Sequence, residues 1–211
     1  QVYDDLLGKY DHIVSVHASH KLSGTYQSAC IARDTLESRS IDVIDSKQVT
    51  MCEGFAVLEA ARAAQRGASP EEVCQAALRV AGSVQLLFTV DTLEFLERNG
   101  RIGKAASLLG TLLSVKPIIH LDDGEVAPRD RVLGARRLLP RVMELMNEAV
   151  GSGAICAAVL HTDAHEKAEE WRREIEKEFK CRELIVNEVG PVVGTHAGPG
   201  AVGVAWHLCM S

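Results

Sequence analysis

The sequence predicts an α/β protein built in two parts: a parallel α/β domain over residues 1–82 and an α+β domain over residues 83–211 with a mixed or antiparallel sheet. Three observations carry this expectation. In the first 82 residues, short β-branched runs alternate with helical patterns at the spacing of a parallel βαβ unit. At Gly82 the pattern changes, and hairpin signals begin to mix with helix-linked strands. The chain has 211 residues, 46% hydrophobic and 25% charged, which is enough to bury a substantial core.

In the first domain, Val2–Leu7 reads as a helix stopped by Gly8, and Ile13–His17 as a short alternating strand. A turn bearing hydroxyls and a glycine leads into a helix over about 25–36, with Tyr26, Ala29, Cys30 and Ala32 on one face. Ile41–Asp45 is a second strand that ends in the polar pair Asp45-Ser46. Residues 53–66 form an alanine-rich helix closed by Gly67. Ser69-Pro70-Glu71-Glu72 is a complete helix start, with an N-cap, a proline at the first helical position and Glu72 closing a capping box. That helix is expected to run to about Ala81.

In the second domain, residues 85–90 read as a strand, and Asp91-Thr92-Leu93-Glu94 as a capping-box start for a helix over 93–98. A turn over 99–103 precedes an unusually apolar helical stretch over 104–113. Residues 115–121 form a strand in which Pro117 implies an edge or a bulge. Asp122-Asp123-Gly124 is a hairpin turn into a strand over 125–128. A helix over 133–150 should be kinked at Pro140. A buried strand over 154–160 follows, then a helix over 164–179 capped by Asp163, with Glu166 at its third position. Strands over 183–189 and 201–208 end the chain, separated by a glycine-rich loop.

The totals exclude several classes. A net charge of -6 argues against a nucleic-acid binder, which carries a basic face. No apolar run is long enough to span a membrane, and no signal peptide is visible. The six cysteines, Cys30, Cys52, Cys74, Cys156, Cys181 and Cys209, are widely spaced and form no C-x-x-C pair. They read as reduced, mostly buried thiols of a cytoplasmic protein. The chain begins at Gln1 directly in structured sequence, so native sequence is expected upstream.

Chemistry is concentrated in Ser19-His20-Lys21-Leu22-Ser23-Gly24-Thr25-Tyr26-Gln27-Ser28-Ala29. A strand, a turn and a helix N-terminus meet there, so unpaired N–H groups and the positive end of the helix dipole suit an anion. The plainer reading is that Ser23 or Thr25 simply caps the helix. A second candidate is His196, set between glycines that allow close backbone approach. Gly198-Pro199-Gly200-Ala201-Val202-Gly203 spells G-x-G-x-x-G, but no helix and second strand follow, so a dinucleotide site is not expected. Gly100 to Lys104 lacks P-loop spacing. His161 and His165 invite a metal, but they do not share a helical face and no third ligand is evident, so no metal is expected. Arg129, Arg131, Arg136 and Arg137 are either a solvated face or a site for an anion or acidic partner. These residues favour binding over catalysis; Ser23 and His196 as nucleophile and base of an acyl hydrolase is the less favoured alternative.

Several blocks carry a family resemblance. Ser19-x-x-Leu22-Ser23-Gly24-Thr25-Tyr26-Gln27-Ser28-Ala29 resembles a recurring motif of the DegV family. So do Val43-Ile44-Asp45-Ser46, Leu93-Glu94-Phe95-Leu96 with Asn99-Gly100-Arg101-Ile102, and Leu112-Leu113-Ser114-Val115-Lys116-Pro117-Ile118. Asp123-Gly124 and the run from Gly190 to Ala201 complete six blocks in family order.

The resemblance implies a two-domain DegV-like fold that binds one long-chain fatty acid between its domains, with no other cofactor. It implies that the protein is not itself an enzyme. Bacterial members serve as the binding subunit of a fatty-acid kinase, presenting the acyl carboxylate to a separate ATP-dependent kinase for acyl-phosphate formation and phospholipid metabolism; a lipid carrier with no kinase partner is the alternative. Transient contact with a membrane surface fits such a ligand. Ser23, with Gly24 and Thr25, matches the carboxylate-binding serine segment, and His196 the binding histidine. Arg131 is the best match for an arginine that engages the kinase, with Arg129 or Arg136 as alternatives. The apolar stretch with Leu108, Leu109 and Leu112, and the strand with Ile118, are expected to line the acyl tunnel. About fifteen buried methylenes at about 0.8 kcal/mol each would supply about 12 kcal/mol before the costs of association. The family's Thr-Asp-Ser motif and its Thr-Ser-Gln-Pro-Ser loop, which holds a carboxylate-binding threonine, are not in this sequence. Their absence agrees with an upstream segment.

Overall fold

The computed structural model describes residues 1–37, 40–110 and 115–209. The chain divides into two compact units, Gln1–Ser83 and Val84–Ser211.

The first unit runs α1 (Val2–Leu7), β1 (Ile13–His17), α2 (Thr25–Thr35), β2 (Ile41–Asp45), α3 (Met51–Gln65) and α4 (Pro70–Ser83). β1 and β2 pair in parallel, from Ile13 opposite Ile41 to His17 opposite Asp45. Successive side chains of a strand point to opposite faces, so each strand feeds two cores. Ile13, Ile41 and Val43 pack with Tyr3 of α1 and Ala29 of α2. Val14, Val16 and Ile44 pack with Ala60 and Ala63 of α3 and with Val73, Ala76 and Ala77 of α4. Helices therefore cover both faces of the parallel pair. The start of α4 forms the expected capping box: the Ser69 N–H donates to Glu72 Oε2 at 2.7 Å, and the Glu72 N–H to Ser69 Oγ at 3.3 Å.

The second unit holds β3 (Gln85–Thr89), α5 (Glu94–Arg98), β4 (Val115–Asp122), β5 (Glu125–Leu133), α6 (Leu138–Val150), β6 (Ala154–His161), α7 (His165–Glu178), β7 (Lys180–Glu188), α8 (Pro191–Ala197) and β8 (Val202–Leu208). The strands form one mixed sheet in the order β5-β4-β3-β8-β6-β7. Among the described residues of this unit, only β6 and β7 pair in parallel, because α7 carries the chain back between them; the remaining pairs are antiparallel. The main core joins Val142 and Met146 of α6 and Trp171 and Ile175 of α7 to Leu87, Ile118, Ile155, Val159 and Val204 of the sheet.

Several local expectations are corrected. Within 104–113 the structure shows a short 3-10 helix, Gly103–Leu108, and positions 111–114 lie outside the described residues. Ala105 and Leu108 are its buried residues, three apart as the 3-10 repeat requires. Leu109, with ψ 137°, leaves the helical conformation, and Gly110 follows at φ +83°. β5 continues to Leu133, so α6 begins only at Leu138. Pro140 therefore falls in the first turn, where a missing N–H breaks no helical bond, and it kinks nothing. Of the edge or bulge expected at Pro117, the bulge is present: β4 is an inner strand, and its register with β5 shifts between Ile118 and Ile119, just after Pro117. α5 starts at Glu94, and its N–H bonds Thr92 Oγ1 at 3.2 Å in place of the Asp91 capping box. Asp163 has φ +48° and caps nothing; Ala164 holds the N-cap position of α7. The last part of the glycine-rich region is helical: α8, with Pro191 at its start, contains Gly194 and His196.

Candidate functional site

In the first unit the site is the connection from β1 to α2. A parallel βαβ arrangement leaves this turn at the carboxyl end of the strand, where such sheets place ligands. Ser46 holds the end of β1: its N–H and its Oγ both donate to the His17 carbonyl, at 3.0 and 2.7 Å. Ser19 is fully buried, and its carbonyl accepts the N–H groups of Leu22 and Ser23, each at 2.9 Å. His20 Nδ1 meets Asp45 Oδ2 at 2.5 Å, which ties the turn to the end of β2. These bonds fix the backbone that presents Ser23.

Ser23 Oγ accepts the Thr25 N–H at 3.3 Å and lies 3.2 Å from Thr25 Oγ1. Gly24 is the N-cap residue of α2, and its carbonyl accepts Ser28 N–H and Ser28 Oγ. The N–H groups of Gly24, Tyr26 and Gln27 meet no acceptor among the described residues, as expected for a first helical turn. A Cβ on Gly24 would find nothing within 4 Å, so the turn faces open space. The helix-capping reading agrees with the bond from the Thr25 N–H to Ser23 Oγ. Ser23 does cap Thr25, and it leaves further donors unmet. No histidine is bonded to Ser23 among the described residues, which leaves its hydroxyl without an adjacent base there.

In the second unit, His196 stands on α8, which contributes no buried residue of its own. Neighbouring groups hold this helix in place. Asn99 Nδ2 donates to the Thr195 carbonyl at 3.1 Å and to the Phe95 carbonyl at 2.9 Å. Gly198, at φ +74°, lies against the Phe95 ring so closely that a Cβ would come within 2.3 Å of it. Thr162 Oγ1 donates to the Gly198 carbonyl and accepts the Ala201 N–H. The Gly200 N–H donates to the Thr162 carbonyl at 2.7 Å. Sequence reasoning missed Asn99 and Thr162 as positioning groups, because both act on backbone atoms far along the chain. Burial, and then the nearby Arg101 charge, hold the His196 imidazole below the usual histidine range. Its Nδ1 is buried with no partner among the described residues.

The remaining candidates divide. Arg131 is exposed on β5 opposite Pro117, and Arg129 is the extra residue at the β5 bulge. Arg136 and Arg137 are exposed in the 3-10 turn before α6. Leu108 is buried and Leu109 is 38% exposed. Leu112 lies outside the described residues. Ile118 is fully buried in the main core with Leu138 and Val142. The His161 and His165 rings meet edge-on with centroids 5.6 Å apart. Among the described residues no group of three or more potential ligands could hold a metal ion. Likewise, no helix there is long and apolar enough to cross a membrane.

A family model described as "Uncharacterised protein, DegV family" matches residues 1–208. The DegV domain-containing protein TTE1491 of Caldanaerobacter subterraneus is 36% identical over 205 residues, covering 97% of this chain and 73% of the relative. A solved structure described as fatty acid binding of a DegV family protein from Thermus thermophilus superposes with a TM-score of 0.94 at 34% identity, covering 99% of this chain and 75% of that one. The structure of DegV from Bacillus subtilis, described as a fatty acid binding protein, gives a TM-score of 0.87 at 32% identity, covering 99% and 74%. On this match over nearly all of its length, the chain belongs to the DegV family.

Proposed function

We propose that the protein binds one long-chain fatty acid and presents its carboxylate to a separate ATP-dependent kinase, which forms the acyl phosphate used in phospholipid synthesis. The observation that carries the reading is the Ser23–Thr25 turn: two hydroxyls flanking the N-cap of α2, beside N–H groups with no acceptor among the described residues. It is supported by two relatives above 30% identity that are described as fatty acid binding. Ser23, Gly24 and Thr25 of the first unit are assigned to carboxylate binding, and so is His196 of the second unit. Hydrogen bonds to a charged group contribute about 1.5–3 kcal/mol each, so the polar site orients the acid. The acyl tail supplies the greater part of the affinity, at about 0.8 kcal/mol per buried methylene. We assign the tail to the apolar segment that includes Leu108 and Leu109, with Leu112 continuing it. Ile118 is assigned to the same tunnel. Arg131 engages the kinase, and its exposure on β5 suits that role. Such a protein works in the cytoplasm, in transient contact with the membrane surface, and has no catalytic residue of its own.

The test is reconstitution. Protein loaded with a long-chain fatty acid, a fatty-acid kinase and ATP should give acyl phosphate, trapped as its hydroxamate by hydroxylamine. Arg131→Ala should slow the reaction while leaving fatty-acid affinity unchanged. Hydrolysis of acyl esters by the protein alone, abolished by Ser23→Ala, would overturn the reading in favour of a hydrolase.

A further inference from the structure

Three of the six cysteines gather at one end of the second unit's sheet. Cys156 lies on β6, and Cys209 follows the last residue of β8. β6 and β8 run antiparallel, with Cys156 opposite His207, and the Cys209 N–H donates to the Ala154 carbonyl at 2.8 Å. The two-residue period of a strand puts Cys209 on the same face as His207, and therefore on the face of Cys156. The two sulfurs are 3.1 Å apart. Cys181 lies on β7 opposite Ile155, and its side chain packs against the main core on the other face of the sheet. Geometry therefore selects Cys156, and not Cys181, as the neighbour that Cys209 can reach. Accessibility is also divided: Cys156 is 4% exposed, whereas Cys209 is partly open to solvent.

We propose that Cys156 and Cys209 form a reversible dithiol–disulfide pair, oxidised by a small-molecule disulfide of the glutathione class. The accessible Cys209 thiolate attacks one sulfur of the oxidant. The oxidant's S–S bond breaks, a mixed disulfide forms on Cys209, and one small thiolate leaves. The Cys156 sulfur then attacks the Cys209 sulfur, and the second small thiolate leaves. Two protein thiols become one disulfide, and one small disulfide is reduced to two thiols. The protons given up by the two cysteines end on the released thiols. Burial and the Cys209 neighbour push the Cys156 thiol up to about 12, so Cys209 is the point of entry and Cys156 resolves the intermediate by proximity. The bond would close a loop spanning 53 positions that contains α7, β7 and α8, and with them His196. It would pin the chain just beyond β8 to β6, its neighbour in the middle of the sheet.

The experiment uses the whole chain. Reduced protein is incubated with excess oxidised glutathione in mildly alkaline buffer, blocked with iodoacetamide in urea, digested without reductant and analysed by mass spectrometry. The expected result is a joined pair of peptides containing Cys156 and Cys209, two hydrogens lighter than their sum and separated again by dithiothreitol. Cys181→Ala should retain the link and Cys209→Ala should abolish it. Recovery of both cysteines as alkylated thiols would overturn the proposal. So would a persistent glutathione adduct on Cys209 with Cys156 still free, or a link between Cys209 and Cys181.

Discussion

At the scale of single residues, the site is a matter of which donors remain unmet. Ser23 was legible because a hydroxyl and a glycine between a β-branched run and a helical pattern imply a helix N-terminus. His196 was legible only as a histidine among glycines. That its ring is half-buried and held below the usual histidine range follows from tertiary packing, which spacing does not reveal. A carboxylate placed beside the ring favours the imidazolium and raises its pKa, so binding takes up a proton. Fatty-acid affinity should therefore rise as pH falls from 8 toward the histidine range, and His196→Gln should flatten the slope. Titration of affinity against pH checks this. Glu53 offers a second test, on stability. Burial pushes its carboxyl from 4.5 up to about 7. The folded state then binds its proton more tightly than the unfolded state does. The stability this contributes is fully present below pH 4.5 and is lost as pH rises through about 7. Glu53→Gln should raise the urea midpoint at pH 8 and leave it nearly unchanged at pH 4.

At the scale of elements, strands and complete caps were the most legible features. Ile13–His17 and Ile41–Asp45 appear with the bounds that alternation predicts. The start of α4 forms because Ser69 and Glu72 satisfy each other's orphan donors. Ser69→Ala should cost about 1 kcal/mol, read by chemical denaturation, since both bonds lie at the exposed helix start. The misreadings share a cause. Asp91 and Asp163 have cap-like sequence, but neither adjoins the first helical residue: α5 begins at Glu94, and a left-handed Asp163 places Ala164 between itself and α7. A leucine-rich run over 104–113 looked helical, yet Gly103 is held at φ +51° against the Val126 backbone, and only a 3-10 turn fits before Gly110. α8 was hidden by its glycines, although Pro191 after Gly190 carried the signal of a helix start.

At the scale of the whole molecule, the fold class was legible and the strand order was not. Alternating strands and helices imply a parallel pair with helices on both faces, and hairpin signals imply antiparallel neighbours. Nothing local specifies that β8, last in the chain, lies between β3 and β6. That insertion brings α8 back to Phe95 and Asn99 and so positions His196. The chain spans about three quarters of the length of the relatives it matches, at 73% to 75%. The central claim is that this stretch of a DegV protein carries the machinery to hold a fatty acid. It is tested most directly by mass spectrometry of an organic extract of the purified protein after exposure to a long-chain fatty acid and removal of the excess. One fatty acid per chain is the predicted result, with retention reduced about tenfold in Ser23→Ala, the equivalent of roughly 1.4 kcal/mol. An extract of the unmutated protein containing no fatty acid would contradict the account.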